Sequence, residues 1–169
     1  MCPLCLRPLC LGDEADARID HEELAGEGFA FLSELRADEP WAAYVRRLDA
    51  VRRGVDLAPN RVPETFLVAD VDGTLVGRVS IRHELNDFLA DVGGHIGYGV
   101  RPAYRRRGYA SEMLRHALLI ARSAGVGHVL LTCDDGNEAS AKIIERAGGV
   151  LEDIRMAPDG IGKRRYWIT

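Results

Sequence analysis

Arg105, Arg106 and Arg107 stand in a row directly before Gly108, Tyr109 and Ala110, and three guanidinium groups beside a glycine can hold phosphate. A helix that opens at such a glycine presents its first N–H groups without intrahelical acceptors, at the positive end of its dipole. A diphosphate can accept from those groups while the arginines neutralise its charge. Gly108 lets a ligand come close to the backbone. The plainer alternative is a solvated turn. The flanks favour the first reading, because His95 to Val100 reads as a strand leading in. Behind the turn, Ala110, Met113, Leu114, Ala117, Leu118 and Ala121 recur with helical spacing. The turn therefore joins a strand to a helix. It is no Walker loop, since no Gly-Lys-Ser or Gly-Lys-Thr follows, and the G-x-G-x-x-G dinucleotide fingerprint is missing.

These residues resemble a family. Arg105-Arg106-Arg107-Gly108-Tyr109-Ala110 looks like the (Gln/Arg)-x-x-Gly-x-(Gly/Ala) signature of the GNAT superfamily of N-acetyltransferases, which bind the pyrophosphate of acetyl-coenzyme A at that turn. A second stretch, Asn137-x-x-Ser140 leading into Glu145-Arg146-Ala147-Gly148, is similar to the family's later Asn-x-x-Ala/Ser helix. Together the two cover roughly Thr65 to Thr169. The resemblance implies acetyl-coenzyme A as co-substrate, held at Arg105, Arg106, Arg107, Gly108, Tyr109 and Ala110. It implies that the backbone amide of Tyr98 donates to the developing oxyanion and that Val100 pairs through its backbone with the pantetheine arm. Asn137 and Ser140 reach the pantetheine or diphosphate, with Lys142 near the adenosine phosphate. Each of these three has a plain reading as well: Asn137 as a helix cap, Ser140 as a bystander and Lys142 as a solvated face residue.

An amine acceptor also needs a base. His95 is the leading candidate, since an imidazole pKa near ~6.5 suits proton transfer at neutral pH, and it stands about where many relatives carry a glutamate. His83 and Glu84 are rivals, and a histidine in a strand is often only a hydrogen-bonded structural residue. Many relatives place a tyrosine seven residues after the asparagine, to protonate the leaving thiolate. Here that position is Ile144, so the general acid has no assigned residue.

Thr65 to Val71 and Thr74 to Arg82 alternate around Asp72-Gly73, a hairpin signal. Gly97 and Gly99 flank Tyr98 and mark a bulge or a close backbone approach. His128 to Cys133 reads as a buried strand, expected to run parallel to His95 to Val100 through a right-handed crossover. A helix from Asn137 carries Ile143, Ile144 and Ala147 inward, and two strands close the chain, Val150 to Arg155 and Arg165 to Ile168. Upstream, Ala15 to Asp20 suggests a short strand and Glu22 to Leu35 a helix weakened by Gly26 and Gly28. A clearer helix begins near Pro40 and stops at Gly54. The expected fold is α/β: a mixed, mostly antiparallel sheet with one splayed parallel strand pair and helices on both faces.

The 169 residues suit one domain from residue 15 onward, with 1–14 expected to be a disordered extension. A net charge of −4 argues against a general nucleic-acid binder, because backbone affinity needs many cationic contacts. No apolar run approaches a membrane span, and Pro3, Arg7 and Pro8 interrupt the apolar start, so a cytoplasmic protein, monomeric or homodimeric, is expected. Cys2, Cys5 and Cys10 would need a fourth ligand such as His21 to hold zinc, and incidental thiols are the simpler reading; no metal is expected. Cys133 reads as a small buried residue. The resulting expectation is an acetyl-coenzyme A dependent N-acetyltransferase acting on a primary amine by direct attack. A non-catalytic acyl-coenzyme A binding or sensor module is the alternative. An RNA-binding reading of the arginines is weaker, since no aromatic residues interleave with the basic run.

Overall fold

The computed structural model describes residues 3–169. Along the chain it runs β1 (Cys5–Arg7), α1 (Glu14–Ala25), α2 (Trp41–Arg52), β2 (Glu64–Val71), β3 (Thr74–Arg82), β4 (Ile96–Val100), α3 (Tyr109–Ser123), β5 (Val129–Asp134), α4 (Glu138–Arg146), β6 (Val150–Met156) and β7 (Gly162–Ile168). The expected hairpin forms between β2 and β3, with Asp72 at φ 53° and Gly73 at φ 77° supplying the two left-handed residues of its turn. Two antiparallel sheets result, one ordered β1-β2-β3-β4 and the other β5-β7-β6. An apolar cluster under α3 joins them, built on Val79, Ile96, Met113, Leu114, Leu131, Ile144 and Tyr166. A second cluster packs α1 and α2 on the opposite face of the first sheet, around Phe31, Trp41, Tyr44 and Phe66.

Four expectations are corrected. The N-terminal stretch is ordered from residue 3: β1 adds to the edge of β2, and Leu4 and Leu9 are buried. Pro3 and Pro8 sit just outside the short strand, where a missing N–H costs no ladder bond. Arg7 fastens it by binding Asp13 and Asp70, each at 2.8 Å, and holds the Asp13 carboxyl down at about 2. Cys2 lies outside the described residues. Cys5 and Cys10 are exposed, and His21 Nδ1 accepts the Leu32 N–H at 3.1 Å.

Ala15 to Asp20 is helical, not a strand. Ala17, Asp20 and Leu24 are the buried positions of α1, a spacing of three and four that only a helix gives. The helix expected to reach Leu35 stops at Ala25, and Gly28 at φ 77° leads into a loop that buries Phe31 and Leu32 without regular structure.

The parallel strand pair does not form. β4 and β5 lie in different sheets and meet at one place, where the His95 N–H donates to the Leu130 carbonyl at 2.7 Å. In return the Leu130 N–H donates to the His95 ring Nδ1 at 2.9 Å, so a side chain takes the bond that would begin a ladder. Gly94, at φ 69°, permits the approach: a Cβ there would stand 2.8 Å from the Leu130 oxygen.

Candidate active site

β4 is the free edge of its sheet. Arg82 N–H donates to the His95 carbonyl and Arg101 N–H to the Val76 carbonyl, so antiparallel alternation turns the amides of Gly97 and Gly99 toward β3. The N–H groups of Tyr98 and Val100 face the other way, out of the sheet edge. Gly99 is bare for a reason: the Phe29 ring occupies the place of its side chain, 2.5 Å from where a Cβ would be.

After β4 the chain passes through Pro102–Tyr104 and turns at Arg106, a non-glycine residue at φ 62°, and Gly108, at φ 84°. Gly108 is the N-cap of α3 and carries no side chain to satisfy the helix's first amides. These amides open on a cleft of about 890 Å³ between the β4 edge, the α3 N-terminus and α4. On the far wall Asn137 caps α4, accepting from the Ser140 N–H at 3.0 Å. The Tyr98 hydroxyl and the Ser140 hydroxyl hydrogen-bond across the cleft at 3.0 Å. Burial pushes the Tyr98 phenol above its ordinary range, so it is protonated at neutral pH.

The cleft brings together Tyr98, Val100, Arg105, Arg106, Gly108, Tyr109, Ala110, Asn137 and Ser140. Arg105 is tethered, with its Nε donating to the Val100 carbonyl at 3.0 Å and its tip paired with Glu27. Arg107 and Lys142 are not brought there. The Arg107 guanidinium lies 5.4 Å from the centre of the Tyr104 ring, and Lys142 is exposed on α4.

His95, expected as the base, is not at the cleft either. It is buried, its Nδ1 is occupied by the Leu130 amide, and burial with the Arg82 charge nearby pulls the imidazole down to about 4. His83 shares a 2.8 Å hydrogen bond with the Thr65 hydroxyl at the end of β3, and Glu84 is exposed beyond it. Neither lines the cleft. Ile144 is fully buried in the core, and Cys133 is buried with its thiol pushed up to about 11.

Sequence reasoning missed several lining residues. Arg146 follows Ala139 and Ile143 at helical spacing and could have been read from periodicity. Lys163, ion-paired with Asp134, needs the register of β5 on β7, and Phe29 arrives on an irregular loop. None of these long-range placements has a local signal.

The face of β3 and β4 turned toward α1 and α2 holds a polar group. Arg78, 7% exposed, lies 4.3 Å from the centre of the Phe29 ring and donates to the Ser80 hydroxyl and the Ala30 carbonyl. Burial pulls its guanidinium down to about 10. Arg82 reaches the buried Glu64 at 3.5 Å and donates to the carbonyls of Gly93 and Gly94.

In this cleft a strand edge with outward amides meets an uncapped helix N-terminus beside Arg105 and Arg106. Residues 29–149 match the sequence model of the acetyltransferase (GNAT) family, and the chain belongs to that family. It is 33% identical over 111 residues to an acetyltransferase of Yersinia pestis (strain Pestoides F), covering 62% of this chain and 68% of that one. An acetyltransferase of Yersinia pseudotuberculosis matches equally. Among solved structures, yncA from Salmonella typhimurium with its cofactor acetyl-CoA shares 16% identity over 98% of this chain and 93% of that one, with a TM-score of 0.66. A GNAT-family acetyltransferase from Streptococcus pneumoniae shares 19% over 98% and 99%, at 0.67.

Proposed function

We propose that the chain is an acetyl-coenzyme A dependent N-acetyltransferase that passes an acetyl group to a primary amine by direct attack. The observation that carries this reading is the meeting of the uncapped α3 N-terminus and the free β4 edge in one cleft. The residues fit the group: a Cβ at Gly108 would meet no atom within 4 Å, leaving the helix amides open to a diphosphate, with Arg105 and Arg106 beside them. The backbone of Val100 is available to an amide-bearing arm, and Asn137 and Ser140 flank it from α4.

Bound there, acetyl-coenzyme A supplies an activated thioester. The Tyr98 N–H then stabilises the charge that gathers on the acyl oxygen. The Tyr98 hydroxyl, protonated and oriented by Ser140, delivers a proton to the leaving thiolate, the part for which Ile144 has no group. Among the described cleft residues the carboxylates are paired, Glu27 with Arg105 and Asp134 with Lys163. The acceptor amine therefore loses its proton to solvent, and the rate follows the acceptor's own pKa.

A second reading, a non-catalytic acyl-coenzyme A binding module, is favoured by Ile144 and by the engaged ring of His95. Coenzyme A release measured over a panel of amines separates the two. Amine-dependent release supports the enzyme; acetyl-coenzyme A binding with no release from any amine supports the binding module. Failure to bind acetyl-coenzyme A overturns both. The enzymatic reading carries with it the expectation of a cytoplasmic protein, monomeric or homodimeric. No helix among the described residues is long and apolar enough to cross a membrane.

A further inference from the structure

On the face of the sheet away from α3, Arg78 and Arg82 flank Ser80 along β3, and the register sets Gly99 opposite Arg78 and Gly97 opposite Ser80. β4 therefore offers no side chain to this face at either position. The two arginines converge where one would be. A Cβ at residue 97 would stand 3.6 and 3.8 Å from the two Nη atoms of Arg82 and 3.9 Å from Nη1 of Arg78. Two guanidinium charges share one nearby carboxylate, Glu64, itself 3.5 Å from Arg82. In buried surroundings like charges repel strongly, and an unmatched cation is costly. Arg78 also keeps one donor unused, since its buried Nε has no hydrogen-bond partner. The point of convergence is one residue from Tyr98, whose amide faces the cleft.

We propose that this point receives a carboxylate of the acceptor, so that the amines acetylated are amino acids or similarly small amines carrying an acidic group a few bonds from the nitrogen. The inference rests on the acetyltransferase reading. A carboxylate over Gly97 accepts from both guanidinium groups, brings the local charge to two against two, and matches the planar fork of arginine. Phe29, Ala30 and Ser80 hold Arg78 in place before the ligand arrives, which spares the ordering cost of binding. One peptide unit separates Gly97 from Tyr98, so an amine within ~4 Å of the bound carboxylate reaches the acyl group at the strand edge. A longer or purely cationic amine has no partner on this face to replace the carboxylate.

The test compares an amino acid, its amide and its decarboxylated amine as acceptors, by coenzyme A release and by calorimetric titration of each compound onto the protein saturated with coenzyme A. The carboxylated member is expected to show a KM at least tenfold lower than the other two. Arg82→Gln and Gly97→Ala should each raise that KM at least tenfold and erase the preference, with acetyl-coenzyme A affinity unchanged. Gly97→Ala guards against misfolding as an explanation, because its methyl meets the guanidinium groups at ordinary contact distance and residue 97 has no left-handed backbone. Equal use of all three acceptors, unaltered by both substitutions, overturns the proposal. If no amine is acetylated, the enzymatic reading fails and the titration alone decides. Carboxylate binding weakened by both substitutions upholds the anion site, and binding indifferent to the carboxylate or to the substitutions overturns it.

Discussion

Gly108→Ala isolates what the turn before α3 contributes to ligand binding. Residue 108 sits at φ 84° and ψ −5°, and a Cβ there meets nothing within 4 Å. The substitution therefore costs the left-handed backbone penalty of ~1 kcal/mol and no packing. Its methyl enters the cleft beside the amides of Tyr109 and Ala110, where a diphosphate must come within hydrogen-bond distance. Losing one charge-assisted bond removes ~1.5 to 3 kcal/mol, which is roughly a ten- to hundredfold weaker Kd for acetyl-coenzyme A. Gly125→Ala is the matched control: it lies at φ 89° just past the other end of α3, again with nothing within 4 Å. Both variants should melt a few degrees lower, on the order of 2 to 4 °C per kcal/mol for a chain this long. Only Gly108→Ala should lose affinity by calorimetry. Unchanged affinity in Gly108→Ala, or an equal loss in Gly125→Ala, refutes the assignment of the turn as the diphosphate site.

Tyr98→Phe should lower kcat ~10- to 100-fold while leaving acetyl-coenzyme A affinity nearly intact, and an unchanged kcat in steady-state assays returns thiolate protonation to solvent. His95→Ala leaves the Leu130 N–H buried and unpaired, so it should cost ~1 to 3 kcal/mol of stability by urea denaturation. Because burial lowers the imidazole to about 4, its contribution is present above pH ~6.5 and fades as pH falls through the folded value; no rate limb near pH 6 to 7 should vanish in the variant. Asp20 has the opposite sign: burial raises its carboxyl to about 7 against the pull of Arg101, so its protonated form favours folding at low pH and that advantage is lost as pH rises through 7. Asp20→Asn removes both the buried charge and its 2.9 Å contact with Arg101, so its stability relative to the parent should move in the variant's favour as pH rises from 4 to 8, read from denaturation midpoints at both values.

Local signals carried far in this chain. Asp72-Gly73 specified the hairpin, the apolar spacing from Ala110 to Ala121 specified α3, and Asn137 caps α4 as its type suggests. Where local preference and tertiary contact disagree, contact decides. Residues 3–14 look like a loose tail by composition, yet the sheet edge of β2 and the carboxylates of Asp13 and Asp70 give Arg7 and its strand a place. Ala15 to Asp20 alternates weakly in sequence, but burying Ala17, Asp20 and Leu24 together requires helical periodicity. The cleft divides in the same way. Its wall at the α3 N-terminus is local, Arg105, Arg106, Gly108, Tyr109 and Ala110 at one turn, and is legible in the sequence; the wall made by Phe29, Asp134 and Lys163 depends on loop placement and strand register over long separations.

His95 shows how a residue suited to chemistry can instead create the space for it. Its ring accepts the Leu130 amide and its own amide donates to the Leu130 carbonyl, so β4 and β5 are joined at that one residue and separate beyond it. Had the backbone made both bonds, a ladder could have continued through Tyr98 and Val100 and consumed the amides that face the cleft. The glycines complete the arrangement: Gly94 allows the close approach at the junction, Gly99 makes room for Phe29, and Gly97 leaves two guanidinium groups uncovered. The imidazole buried at the junction thus holds the two strands at a single point, and a base at that position would have had to give up the hydrogen bond from the Leu130 amide.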